Sequence, residues 1–164
     1  MRIALFPALL LSVSFPAFAQ DAKAATVPDP QVRQLLDELG YEYEVDEDGD
    51  YRLVFEVANS TEKRSQLVYV RSPVETYGAL RLREIWAPGY RAAGTDFPAA
   101  VANRLLAASQ DNKVGAWAKQ EEYAVFVVKL PADAGAKVLD DAMDAAISSA
   151  DAMEAELTPG KDEL

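Results

Sequence analysis

The residues best placed to do chemistry are concentrated in one stretch. "YEYEVDEDGDYRLVFEV", Tyr41 to Val57, sets four carboxylates within the five residues Asp46 to Asp50, between two runs of alternating aromatic and aliphatic side chains. Carboxylates separated by single residues are the donor set of a calcium loop, which takes oxygens from loop positions 1, 3, 5 and 12 and needs glycine at 6. With Asp46 at position 1, Asp48 and Asp50 fit, but position 6 is Tyr51 and position 12 is Val57. With Glu44 at position 1, Gly49 falls at 6, yet position 12 is Phe55. Neither frame supplies the closing bidentate carboxylate. A β-hairpin accounts for the same residues more fully. A three-residue loop Glu47-Asp48-Gly49, with Gly49 left-handed, opposes Asp46 to Asp50 and pairs Val45 with Tyr51, Tyr43 with Leu53 and Tyr41 with Phe55, so one face is apolar. A two-residue Asp48-Gly49 loop would pair Val45 with Arg52 and mix the faces. The expectation is a hairpin with a solvated acidic tip and no metal.

The rest of the chain offers little catalytic chemistry. It contains neither cysteine nor histidine. That removes disulfides, thiol chemistry, the usual general base at neutral pH, and Ser-His or Cys-His nucleophiles. An enzyme would have to work with carboxylates alone, as glycosidases do with a pair about 5 to 9.5 Å apart. Asp and Glu residues near Tyr123 or Trp117 are the available source, but no spacing picks out a pair. No catalytic residue, cofactor site or metal ligand is expected.

Charge is uneven. The chain carries a formal charge of −11, a balance that repels nucleic acid and anionic lipid. From Arg52 to Arg91, however, there are seven basic and four acidic residues. Arg52, Arg71, Arg81 and Arg83 are a candidate basic strip for an acidic peptide. The alternative is that this basic middle pairs with the acidic helices of its own fold.

The scaffold that carries these groups can be read along the chain. Met1-Arg2 and the apolar run ending in Ala17-Phe18-Ala19 describe a signal peptide cleaved after residue 19, with no membrane insertion after its removal. Residues 20–28 read as a flexible start. Asp29-Pro30 caps a helix whose apolar positions are Val32, Leu35, Leu36 and Leu39, closed by Gly40. The hairpin follows, with strands of about Tyr41 to Asp46 and Asp50 to Ala58. Ser65 to Ser72 and Leu80 to Ala87 read as strands separated by a loop holding Pro73 and Gly78, and Pro88-Gly89 as a turn. Thr95-Asp96 opens a helix to about Gln110. A second hairpin, Val114 to Lys119 and Glu122 to Leu130, contains "EYAVFVVKL", which is apolar on both faces and reads as a central strand covered on both sides. The last helix, about Asp133 to Leu157, spaces Leu139, Met143, Ala146, Ala150, Met153 and Leu157 along one seam. Residues 29–158 form a single domain and 159–164 a charged tail.

"LLDELGYEYEVDEDGDYRLVFEV" (Leu35 to Val57), "NRLLAASQDNKVGAWAKQEEYAVFVVKL" (Asn103 to Leu130) and the closing helix together resemble the YbjN-type domain, the bacterial sensory transduction regulator family with the fold of type III secretion chaperones. The resemblance implies a protein-binding module and no active site.

The expected fold is α+β: an antiparallel sheet of five or six strands with helices packed mainly on one face, in the order α-β-β-β(-β)-α-β-β-α. The expected function is an exported, non-enzymatic protein-interaction module of the bacterial envelope, periplasmic or secreted, binding another protein or itself. Tyr123, Val125 and Val127 are the candidate binding face. A three-helix protein most easily covers one face of such a sheet, and a bare apolar face is normally kept for an interface. The alternatives are a carboxylate-only hydrolase such as a glycosidase, or an endoplasmic-reticulum resident retained there by Lys161-Asp162-Glu163-Leu164, with Asn59-Ser60-Thr61 as a glycosylation acceptor.

Overall fold

The computed structural model describes residues 27–57 and 64–160. The expected signal peptide, the Asn59-Ser60-Thr61 acceptor and the terminal Lys-Asp-Glu-Leu lie outside those residues. In chain order the elements are α1 (Pro30–Leu39), β1 (Glu44–Val45), β2 (Tyr51–Val57), β3 (Arg64–Tyr77), β4 (Leu80–Arg91), α2 (Ala99–Asp111), β5 (Gly115–Gln120), β6 (Tyr123–Pro131) and α3 (Ala136–Leu157). The strands form one open antiparallel sheet in the order β1-β2-β3-β4-β6-β5. This is the expected α+β fold, in its six-stranded form.

The helices lie on one face because each has one apolar stripe and the strands alternate. Val32 and Leu36 of α1, and Leu139, Met143, Ala146 and Ala150 of α3, are buried in one cluster with Tyr51, Leu53, Val68, Val70, Ile85, Phe126 and Val128. Leu105 and Ala108 of α2 and Met153 of α3 enclose Ala124 in a second, smaller cluster. The seam of α3 is therefore spent on its own sheet. Two small residues permit its close seating: a Cβ at Gly89 would lie 2.6 Å from Trp117 Cη2 and 2.9 Å from the Ala150 carbonyl oxygen. A buried ion-pair network closes the same end. Arg64 Nε meets Asp151 at 2.8 Å and Arg64 Nη2 meets the fully buried Glu154 at 3.1 Å.

The first hairpin keeps its expected register, Val45 opposite Tyr51. The Asp46 N–H donates to the Asp50 carbonyl at 3.0 Å, and Gly49 has φ 78°, left-handed as the three-residue loop requires. The expected first strand is shorter, however. Tyr41 to Tyr43 lie outside the ladder, and the two tyrosine hydroxyls reach carboxylates on the helices. Tyr41 packs edge-on against Phe55 and donates its hydroxyl to Asp140 of α3 at 2.6 Å. Tyr43 packs against Tyr51 and donates to Asp37 of α1 at 2.8 Å.

Two expected breaks are instead irregularities within long strands. Pro73 does not end β3. It sits where the β3–β4 register shifts between Val70 and Val74, and the chain turns only at Gly78-Ala79, between the paired Tyr77 and Leu80. Pro88-Gly89 is not a turn but a second register shift, between Pro88 and Tyr90 in β4. A bulge absorbs a proline that cannot donate to the ladder. The helices also start later than the cap residues suggest, α2 behind Pro98 and α3 behind Gly135.

The contact at Gly89 can be tested directly. Gly89→Ala should destabilise the domain by about 1–3 kcal/mol in chemical denaturation, because neither the indole nor the α3 backbone can retreat freely. Gly94→Ala, where a Cβ meets nothing within 4 Å, should change stability by less than about 0.5 kcal/mol. A second expectation concerns alkaline pH. The bond to Asp140, with burial and the Asp140 charge adding to it, pushes the Tyr41 hydroxyl up to about 12 from 10.0. A pKa raised on folding gives stability that is complete below pH 10 and is lost as pH rises through 12. The wild type should therefore lose on the order of 1–2 kcal/mol more than Tyr41→Phe across that window, and parallel pH profiles for the two proteins would contradict the assignment.

Candidate binding face

The acidic tip is less solvated than its sequence suggests. Asp46 Oδ1 accepts the N–H groups of Asp48 at 3.0 Å and Asp50 at 2.9 Å, an Asx-type closure of the turn. Asp50 itself is only 3% exposed. Its Oδ1 accepts the Ser72 N–H at 2.7 Å, and its Oδ2 is ion-paired with Arg71 Nε. Burial pushes the Asp50 carboxyl above its ordinary value, against the Ser72 N–H and the Arg71 charge. Ser72 in turn donates its hydroxyl to the Gly49 carbonyl at 2.6 Å. The cluster thus clamps the hairpin tip onto the β3 bulge, and two of its carboxylates are already engaged by protein donors. Among the described residues no group of three or more carboxylates is arranged to hold a metal ion.

The four arginines of the expected strip do not share a surface. Arg83 is buried on the helix side at 3% exposure. It donates to the Arg71 and Ser72 carbonyls at 2.8 and 3.1 Å and pairs with Asp29 at 2.6 Å. Asp29 also caps α1 through the Gln31 N–H at 2.8 Å. Although burial raises it, the Arg83 bond and the capping N–H hold the Asp29 carboxyl below its ordinary range. Arg81 is exposed on the β4 end of the protruding β3–β4 ribbon. Only Arg52 and Arg71 lie on the face opposite the helices. Strand alternation scatters residues that are close in the chain onto both sides of the sheet.

That opposite face carries the candidate site. Tyr123, Val125 and Val127 alternate with the helix-facing Ala124, Phe126 and Val128 and point away from the helices. The strand is therefore not covered on both sides: Phe126 and Val128 are fully enclosed, whereas Tyr123 and Val127 are half-buried and Val125 is screened by its neighbours on the sheet. The register sets Arg52, Tyr69, Trp86 and Val127 in one cross-strand row. Around that row is a cleft of about 470 Å³ walled by Leu67, Tyr69, Trp86, Pro88, Tyr123 and Val125. A second, of about 390 Å³, lies between Trp86, Val127 and the alanines of β5. Trp86 borders both.

Charged groups dress this aromatic centre. The Arg71 guanidinium stacks on the Trp86 ring at 4.2 Å, and the indole N–H donates to Glu84 at 2.8 Å. Lys129 pairs with Glu84 at 2.9 Å, and Arg91 lies over the Tyr123 ring at 5.2 Å. Arg52 pairs with Glu44 at 2.9 Å. The sequence pointed to Tyr123, Val125 and Val127 but passed over Leu67, Tyr69 and Trp86. The signal was present: "SQLVYVRS" and "REIWAP" are apolar at consecutive positions, the same two-sided pattern that marked β6.

The larger cleft has no carboxylate in its wall and the second has Glu84 alone. A third, between α2 and α3, holds Asp111 and Glu156, but Glu156 is bound by both Nε and Nη2 of Arg104 at 2.7 Å. That bond holds the Glu156 carboxyl below its ordinary value. What the open face offers is apolar and aromatic contact with cationic edges. No protein-family model matches the chain, and no curated protein shows significant similarity to it. Among the described residues no helix is long and apolar enough to cross a membrane.

Because Asp46 Oδ1 and both carboxylate oxygens of Asp50 are already engaged by backbone N–H groups and Arg71, calcium titration by calorimetry should give no stoichiometric binding in the micromolar range. A saturable one-to-one heat lost in Asp48→Asn would show that the tip is a ligand set after all.

Proposed function

We propose that this chain is a non-enzymatic protein-binding module, exported to the bacterial cell envelope, that works through the bare face of its sheet. The observation that carries the reading is the aromatic row on that face. Tyr69, Trp86 and Tyr123, with Leu67 and Val125, form a concave apolar surface that none of the three helices covers. Soluble domains normally keep such a surface for an interface, and Trp, Tyr and Arg are the side chains that dominate binding energy. Composition supports the non-enzymatic part, since a chain without His or Cys lacks the commonest general base at neutral pH, any thiol nucleophile and every Ser-His pair. The export part rests on the charged start, apolar run and small-residue cleavage site of residues 1–19. The order of elements and the two hairpins are compatible with a YbjN-type domain, and membership of that family is part of the proposal. Endoplasmic-reticulum residence, through the terminal Lys-Asp-Glu-Leu, would place the same module in a different compartment.

The test is site-specific photo-cross-linking in cells that export the protein. A photoreactive residue in place of Leu67, on the bare face, should give discrete adducts with another protein or a second copy. One in place of Asp141, on the outer surface of α3, should give none. Trp86→Ala should remove the Leu67 adducts while leaving the thermal transition within a few degrees. Equal labelling from both positions, or none from Leu67, would overturn the proposal.

A further inference from the structure

Trp86 is held from two directions. Its ring lies against the Arg71 guanidinium at 4.2 Å, and its indole N–H donates to Glu84 Oε2 at 2.8 Å. The stack restricts the tilt of the ring, and the hydrogen bond restricts its rotation in the ring plane. Each holder is itself held. Lys129 pairs with Glu84 Oε1 at 2.9 Å, and Asp50 Oδ2 pairs with Arg71 Nε. An unbroken series of contacts therefore runs from the first hairpin tip through β3 to β4 and β6.

The Asp50 end of this series is the firm one. The Asp50 and Arg71 side chains are 4% and 21% exposed, whereas Arg52–Glu44, Arg91–Glu122 and Lys129–Glu84 each have one member more than half exposed. Solvent-facing pairs contribute little, while a pair taken out of water keeps its geometry when its remaining hydrogen bonds are met. Asp50 meets that condition. Its Oδ1 accepts the Ser72 N–H at 2.7 Å, which fixes the carboxylate to the backbone of β3 and leaves Oδ2 aimed at Arg71. The turn closes without that second oxygen, through Asp46 Oδ1 and the left-handed Gly49. Its use lies outside the hairpin.

Trp86 is also the ring whose orientation matters most on this face. It borders both clefts, of about 470 and 390 Å³, and so forms the wall between them. Tyr69 and Val127 flank it in the same cross-strand row. A swing of the indole toward either neighbour would enlarge one cleft at the expense of the other. A binding surface gains affinity when its large aromatic anchor already stands in the bound orientation, because that order need not be imposed on association. Resting on the proposal that the bare face binds protein, we infer that Asp50 is a positioning residue of that face: through Arg71 it sets the orientation of Trp86, so the acidic tip fixes the shape of a surface that it does not itself line.

The experiment reads Trp86 directly, by fluorine NMR of the full protein labelled with fluorotryptophan. The chain has two tryptophans, so two resonances are expected, and Trp86→Phe assigns them. Trp117, packed against Phe126 on the helix side, is the internal control. Asp50→Asn keeps an acceptor for the Ser72 N–H but removes the charge that holds Arg71. Arg71→Lys keeps a charge for Asp50 but removes the planar group that stacks on the indole. Both should move or broaden the Trp86 resonance, leave the Trp117 resonance in place and lower the yield of cross-links from Leu67 by about threefold or more. Glu47→Gln, the same change of charge at an exposed position of the same tip, should do none of these. An unmoved Trp86 resonance in either folded variant would overturn the inference, as would an equal shift in Glu47→Gln or a shift with unchanged cross-linking. If Asp50→Asn displaces both resonances, that variant has lost its fold and Arg71→Lys decides. If the wild type gives no cross-links from Leu67, the proposed function falls, while the Trp86 resonance still decides whether Asp50 positions the ring.

Discussion

Everything on the bare side of this molecule depends on how closely α3 can lie on the other. The helix crosses the sheet with Leu139, Met143, Ala146 and Ala150 buried, and its backbone approaches β4 where Gly89 presents no side chain. Removing so much apolar surface at about 25 cal/mol per Å² is the main term that holds a domain of this size together without disulfides. It also concentrates all three helices on one face. A six-stranded sheet has two faces, and its alternating side chains cannot all point inward. The bare face follows from the covered one.

Buried charge fixes the details of this arrangement. Arg83, Asp29, Ser72 and Asp50 join the start of α1, the β3 bulge and the first hairpin tip through bonds of 2.6–3.1 Å. Arg64 does the same between the start of β3 and the end of α3. In each case a cation is buried beside its carboxylate, the arrangement in which removing one partner alone is costly. These networks use up much of the basic middle of the sequence. What remains on the bare face is a smaller set, Arg52, Arg71, Arg91 and Lys129, ion-paired with Glu44, Asp50, Glu122 and Glu84 rather than with the helices, and two of them also stack on Trp86 and Tyr123.

The hairpin tip and the two proline bulges illustrate a shared constraint. A proline or a buried aspartate interrupts regular pairing, and the chain satisfies the freed groups with a side chain: the Ser72 and Gly49 groups bond across the tip, and Arg83 takes two carbonyls of the bulge. The bulge at Pro88-Gly89 has the additional effect of admitting α3. Local irregularity here serves packing, and the acid-rich tip belongs with it.

Much of this architecture is legible in the chain before it folds. Asp29, Pro30 and Gly40 mark the first helix because capping and left-handed geometry are local properties. The register of Val45 with Tyr51 can be read because loop length and facial alternation both constrain it. The α3 seam and the one-sided helix layer follow from periodicity, and Tyr123, Val125 and Val127 from a strand apolar on both sides. Which of two apolar faces goes bare is settled by folding alone, since Phe126 and Val125 are both hydrophobic and differ chiefly in what packs over them. Folding likewise buries Arg83 with Asp29, 54 positions away, and gathers Trp86, Arg71 and Tyr69 onto one surface. It keeps Pro73 and Pro88 inside strands, where local chemistry reads a loop and a turn. Those outcomes are set by partners distant in the chain, and a one-dimensional pattern carries the propensity of each residue but not the identity of its neighbour.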